Sequence, residues 1–121
     1  MREIKFRAWA KHWKLISEPL NLRNGLDFFH FKNSDAPHVL SVSNTNLNIM
    51  QYTGLKDKNG VEIFEGDIVM LFGKACQIKF DSGCFLAYII NDAGNRYFSI
   101  IGTETEVIGN IFENPELLED S

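Results

Sequence analysis

A chain of 121 residues, 45% hydrophobic and 23% charged, suits one compact domain and is too apolar to be disordered. Its net charge of −4 is unevenly spread: residues 1–50 carry seven Lys/Arg against four Asp/Glu, and residues 51–121 carry five against twelve. The acidic second part argues against a broad nucleic-acid footprint, which needs concentrated basic surface.

Ten phenylalanines favour strands over helices. No run of 18 apolar residues exists, so no membrane-spanning helix is expected. The opening MREIKFRAWAKHW lacks the apolar core of a signal peptide, and a cytoplasmic location is the expectation. From Arg2 to Trp9, Ile4, Phe6 and Ala8 alternate with Glu3, Lys5, Arg7 and Trp9, the period of a half-buried strand. Ala10 to Lys14 reads as a turn, and Leu15-Ile16 starts a short return strand. Residues 17–48 are punctuated by Asn21, Asn24-Gly25, Asn33-Ser34-Asp35, Pro37 and Ser43-Asn44-Thr45-Asn46, all turn chemistry. Short apolar pieces at Leu26–Phe31 and Val39–Val42 intervene, with no helical stripe.

The pattern becomes regular at Leu47–Tyr52. Alternation runs into a charged turn at Asn59-Gly60 and out through Val61 and Ile63. Asn-Gly tolerates positive φ at both central positions, which predicts a hairpin. A second turn at Glu65-Gly66-Asp67 precedes Ile68–Phe72, and Gly73-Lys74 leads into Cys76–Phe80. Asp81-Ser82-Gly83 then turns into Cys84–Ile90, Asn91 to Asn95 into Tyr97–Ile101, and Glu106–Phe112 follows Gly102. Short strands at this spacing predict a small antiparallel barrel or sandwich. Its inward positions by alternation are Ile68, Met70, Ile78, Phe80, Leu86, Tyr88, Val107 and Ile111. Pro115 and Glu116 suit one closing helical turn.

With Asp81-Ser82-Gly83 as a three-residue loop, Phe80 faces Cys84 and Cys76 faces Tyr88. The two sulfurs then lie four residues apart along the strand, about 13 Å, beyond the roughly 7 Å Cα limit of a disulfide. Both cysteines are expected as reduced, buried thiols. His12, His30 and His38 lack metal-ligand spacing, and Asp57-Lys58-Asn59-Gly60 lacks the later ligands of a calcium loop. Glu65 and Asp67 are expected to accept backbone N–H bonds at their turn. No catalytic residue and no cofactor is predicted, although a small enzyme of an unrecognised type stays open. The possible interaction surface is Lys5, Arg7, Trp9, Lys11, Trp13 and Lys14: cations pair with phosphates and indoles stack on bases. A solvated strand face whose tryptophans pack inward is the competing reading of the same residues.

MREIKFRAW, MQYTGLKDKNGVEIFEGDIV and VIGNIFENPELLE, in that order, resemble the YopX-like family of phage and prophage proteins. Ala10 departs from it, standing where the family usually has an acidic residue. The resemblance implies a mostly β fold: a small SH3-like antiparallel barrel preceded by an irregular β-rich N-terminal arm. The expected layout is 1–50 as that arm, 51–112 as the barrel and 113–121 as a short helical turn with an acidic tail. The family offers no catalytic residues. Its motif residues here, Gly54, Asp57, Asn59, Gly60, Gly66, Asp67, Gly109, Asn110, Asn114 and Pro115, are of turn and packing type. The functional expectation is a non-enzymatic phage-encoded accessory protein, an interaction module in the cytoplasm of a bacterial host. Its expected partners are a second copy of itself and a host or phage protein. Nucleic acid bound by the basic N-terminal strand is the alternative, and no membrane is expected as a partner.

Overall fold

The computed structural model describes residues 4–11, 13–20, 28–31, 39–41, 47–81, 83–91, 94–99 and 104–118. The turn signals at Asn21, Asn24-Gly25, Asn33 to Asp35, Pro37, Ser43 to Asn46 and Asp92-Ala93 lie outside these residues, as do His12, His38, Ser82, Ile101 and Gly102. The fold is mostly β. Among the described residues the only helical piece is a 3-10 turn, Pro115–Leu118. The chain divides into two units, Met1–Tyr52 and Thr53–Ser121.

In the first unit β1 (Phe6–Ala10) is flanked by β2 (Leu15–Ile16) and by the start of β5 (Leu47–Lys56), both antiparallel. The β1–β2 turn closes through Lys14, whose amide donates to Ala10 O at 2.7 Å and whose φ is 56°. Ser17 then continues alongside β1: its amide donates to Ala8 O, and its Oγ accepts the Ala8 amide at 2.8 Å. A separate pair, β3 (Phe28–His30) and β4 (Val39–Ser41), is also antiparallel. Alternation along β1 sends Ala8 and Ala10 into a core with Phe29 and Phe31, to which Phe6, Trp13, Leu15, Leu20 and Leu47 add partial cover. Two alanines in one strand leave room for rings. The phenylalanines fill it.

In the second unit the end of β5 forms a hairpin with β6 (Glu62–Phe64). A five-stranded sheet follows, in the order β10-β9-β8-β7-β11. Its strands are β7 (Asp67–Leu71), β8 (Lys74–Asp81), β9 (Cys84–Asn91), β10 (Gly94–Ser99) and β11 (Glu106–Asn110), every neighbouring pair antiparallel. Its core holds Ile63, Val69, Leu71, Cys76, Ile78, Ala87 and Ile89, with Leu55, Phe85 and Val107 at the margin.

Register is where the structure departs from the expectation. Asp81, not Phe80, faces Cys84, so the β8–β9 connection is two residues long and Gln77 faces Tyr88. One residue of slip exchanges the faces of a strand. Ala87 and Ile89 therefore enter the core, while Leu86 and Tyr88 lie half-buried on the other face. Met70, expected inside, is 37% exposed, because Val69 and Leu71 take the core side of a strand that is apolar at every position from 68 to 71. Phe80 shares the face of Ile78 yet is 53% exposed, since β8 runs on past the core. Ile78, Val107 and Ile68 lie inside or at the margin as expected, and Ile111 is half-buried.

Candidate functional site

The basic N-terminal strand is the first place to look. Lys11 and Lys14 are exposed, and Lys5 and Arg7 are half-buried. The Lys5 ammonium sits 5.1 Å from the centre of the Tyr52 ring, and Arg7 Nη2 donates to Met50 Sδ at 3.7 Å, a residue that faces it across β5. Trp9 is buried and Trp13 packs on the phenylalanine core. Of the six residues singled out, the structure leaves only the two loop lysines exposed. Trp9 is withdrawn from base stacking, and Trp13 is half-buried.

The turn residues have specific tasks. At the β5–β6 hairpin the Gly60 amide donates to Asp57 O at 3.0 Å, and only Gly60, at φ 84°, lies in the left-handed region. Asn59 does not, so the turn is a type I turn closed by a left-handed glycine, and not the doubly left-handed hairpin that Asn-Gly suggests. The Asp57 side chain ties this turn to the rest of the unit. Its Oδ1 accepts the Asn59 and Val61 amides at 2.8 and 2.9 Å, and its Oδ2 accepts the Val107 amide, fifty residues on, at 2.9 Å. Burial raises the pKa of such a carboxyl, but the Val107, Val61 and Asn59 amides and the Lys58 charge together outweigh it and hold Asp57 below its usual 3.8. The Lys58 amide also donates to Thr105 O. Asp67, fully buried, accepts the Phe64 amide on Oδ2 at 2.7 Å, as expected of an acid at that turn. Gly66, at φ 88°, receives Ile111 N–H on its carbonyl and donates to Ile78 O.

Gly54 has φ 88° within β5, and the neighbouring Thr53 Oγ1 donates to Ile63 O and accepts the Leu55 amide. At the C-terminal turn Asn110 Oδ1 accepts the Phe112 and Glu113 amides, its Nδ2 donates to Glu113 Oε1, and the Asn114 amide returns to Asn110 O. Gly109 is required there for space: a Cβ on it would stand 2.5 Å from Asn114 Oδ1. Pro115 then opens the 3-10 turn.

Sequence reasoning missed the second unit's exposed aromatics. Phe72 is 73% exposed and occupies the β7–β8 turn at φ 53°, followed by Gly73 at 73°. Left-handed φ at a phenylalanine is costly. Phe80 faces Phe85 across β8–β9 in an edge contact, centroids 4.9 Å apart. On the sheet face away from the core, Tyr88 Oη donates to Asp81 Oδ2, and the Lys79 ammonium lies 5.1 Å from the Tyr88 ring. Cys76 and Cys84 are both free thiols. Cys76 is buried, and loss of solvation pushes its pKa up to about 11. Cys84 is exposed, against expectation, because the two-residue connection turns it to the opposite face from Cys76. Among the described residues no three His, Cys, Asp or Glu gather to hold a metal, and no helix is long and apolar enough to cross a membrane.

These features define a mostly β protein in two units whose signature residues serve turns and close packing and whose two turn aspartates are engaged by backbone amides. A family model described as YopX protein matches residues 5–119. The chain belongs to the YopX family. It is similar to protein EF1440 from Enterococcus faecalis, 30% identical with a TM-score of 0.63, the match covering 98% of this chain and 99% of that one. It is also similar in fold to protein yopX from Bacillus subtilis, 21% identical with a TM-score of 0.57, over 100% of this chain and 99% of that one. No curated protein matches.

Proposed function

We propose that the chain is a non-enzymatic interaction module, encoded by a phage or prophage and acting in the cytoplasm of the bacterial host. The carrying observation is the two strongly exposed phenylalanines, Phe72 in the β7–β8 turn and Phe80 near the end of β8. Scattered exposed aliphatics are ordinary. Aromatic rings are the residues that dominate interface energetics, and burying one contributes roughly 1.5–3 kcal/mol. The two carboxylates at the signature turns support the non-enzymatic reading, since backbone amides already use Asp57 and Asp67 as acceptors. We further propose that the second unit is an SH3-like barrel: a four-strand meander whose fifth strand returns to the first has the required order.

The partner is a second copy or a host or phage protein. A photoreactive phenylalanine analogue placed at position 72 or 80 in cells tests this. Discrete crosslinked species from either position, matched by concentration-dependent sedimentation if the partner is a second copy, are expected. A monomer that crosslinks to nothing from both positions overturns the reading.

The exposed Lys11 and Lys14 favour the second reading, a nucleic-acid contact at the β1–β2 turn. Titration of a labelled single-stranded 30-mer separates the two. Under the leading reading binding is weak, with a slope of about −0.7 per contacted phosphate. Sub-micromolar, steeply salt-dependent binding lost in Lys11→Glu/Lys14→Glu would replace it.

A further inference from the structure

The sheet of the second unit carries a groove of about 250 Å³ on the face away from its core. The floor is Met70 and Ala75, cross-strand neighbours on β7 and β8, with Gln77 and Tyr88 beyond them. Ile108 closes one side. It is the extra residue of a bulge, since Val107 faces Val69 while Gly109 faces Ile68, and such a residue is re-aimed relative to its neighbours. Leu117 and Leu118 of the 3-10 turn form the opposite wall.

Size decides the class of occupant. The groove lies below the roughly 300–1,000 Å³ of small-molecule sites, yet above the roughly 150 Å³ that admits a benzene ring. It suits one large side chain and the start of its neighbour. Charge decides the flanking group. Lys74 stands at the rim, exposed, with no ion pair among the described residues. We infer that this groove docks a peptide segment of a partner protein, seating an aromatic or leucine-sized side chain between Ile108 and Leu117 while an adjacent carboxylate meets the Lys74 ammonium. The inference rests on reading the chain as an interaction module; Gly73, beside Phe72, lines the groove, whereas Phe80 stands apart from it.

The test uses the full chain, isotopically labelled, and two capped peptides, Glu-Phe-Leu-Glu and Lys-Phe-Leu-Lys. Saturable backbone amide shifts at Met70, Ala75, Ile108 and Leu118 are expected with the acidic peptide, which binds about fivefold tighter than the basic one, the scale of an exposed ion pair. Lys74→Glu, a change at an exposed position, should invert that preference and leave the unbound spectrum otherwise intact. Equal affinity for the two peptides, shifts confined to the Phe80 region, or a preference untouched by Lys74→Glu overturns the inference. So does free benzoate shifting the same amides while neither peptide does, which assigns the groove to a small anion. Failure here with crosslinking retained at position 80, outside the groove, removes the groove and leaves the interaction module standing. Failure of both removes the module.

Discussion

Replacing Asp57 by Asn is the most informative single perturbation. In the wild type one carboxylate satisfies three backbone amides, two within its own turn and one on β11. The Asn amide group keeps one acceptor oxygen but turns an N–H₂ toward one of those donors. With Oδ1 retained for Asn59 and Val61, the Val107 amide faces another donor and loses its partner. A hydrogen bond to a charged group is worth about 1.5–3 kcal/mol net, and leaving a buried donor unsatisfied costs about 1–3 kcal/mol. Because Asp57 is 7% exposed, little water can substitute, and a loss of about 2–3 kcal/mol is expected at neutral pH. The sign of the pH dependence follows from the lowered carboxyl pKa. A folded-state value below the unfolded one stabilises the protein above the unfolded value of 3.8, and that contribution is lost as pH falls through the folded value. Denaturant unfolding of both proteins at pH 7 and again near pH 3 measures the effect. The gap between wild type and Asp57→Asn should be full at pH 7 and shrink below pH 3.8, where protonation makes the wild-type side chain resemble the variant's. A gap that is absent at pH 7, or equally large at both pH values, would refute the account.

Gly109→Ala should destabilise the chain by about 1–3 kcal/mol, because its Cβ would stand 2.5 Å from Asn114 Oδ1; an unchanged melting temperature would show that Asn114 moves aside freely. Phe72→Asn should raise stability by about 1 kcal/mol, since Asn suits the left-handed position before Gly73 better than Phe does. A lower melting temperature would mean that the Phe72 ring contributes more than its backbone costs. Native alkylation at pH 8 should label Cys84 alone, while Cys76, buried with its pKa pushed up to about 11, reacts only after unfolding. Equal labelling rates by intact mass would contradict the assigned faces.

Much of the architecture is legible along the chain because strands and turns are local. Alternation from Ile4 to Ala8 places β1, and Leu15-Ile16, Val39 and Leu47 mark further strands that the structure contains. Pro115 with Glu116 marks the closing turn for equally local reasons. The motif blocks at the two ends and the middle also suffice to point to the family. Side-chain faces in the second unit are another matter. Ile68 to Leu71 is apolar at every position, so alternation cannot choose its inner face; pairing with β8 and the bulge at Ile108 choose it. A turn one residue shorter than Asp81-Ser82-Gly83 suggests then exchanges Leu86 and Tyr88 for Ala87 and Ile89, because side chains alternate with a period of two and one residue of slip inverts them all. Asp57 can be read from sequence as a turn acid, but its third donor lies on another strand. The exposed Phe72 and Phe80, the groove beneath Leu117 and the withdrawal of Trp9 from solvent are likewise tertiary decisions. They depend on where each strand ends relative to the core that covers it, and no local pattern encodes that distance.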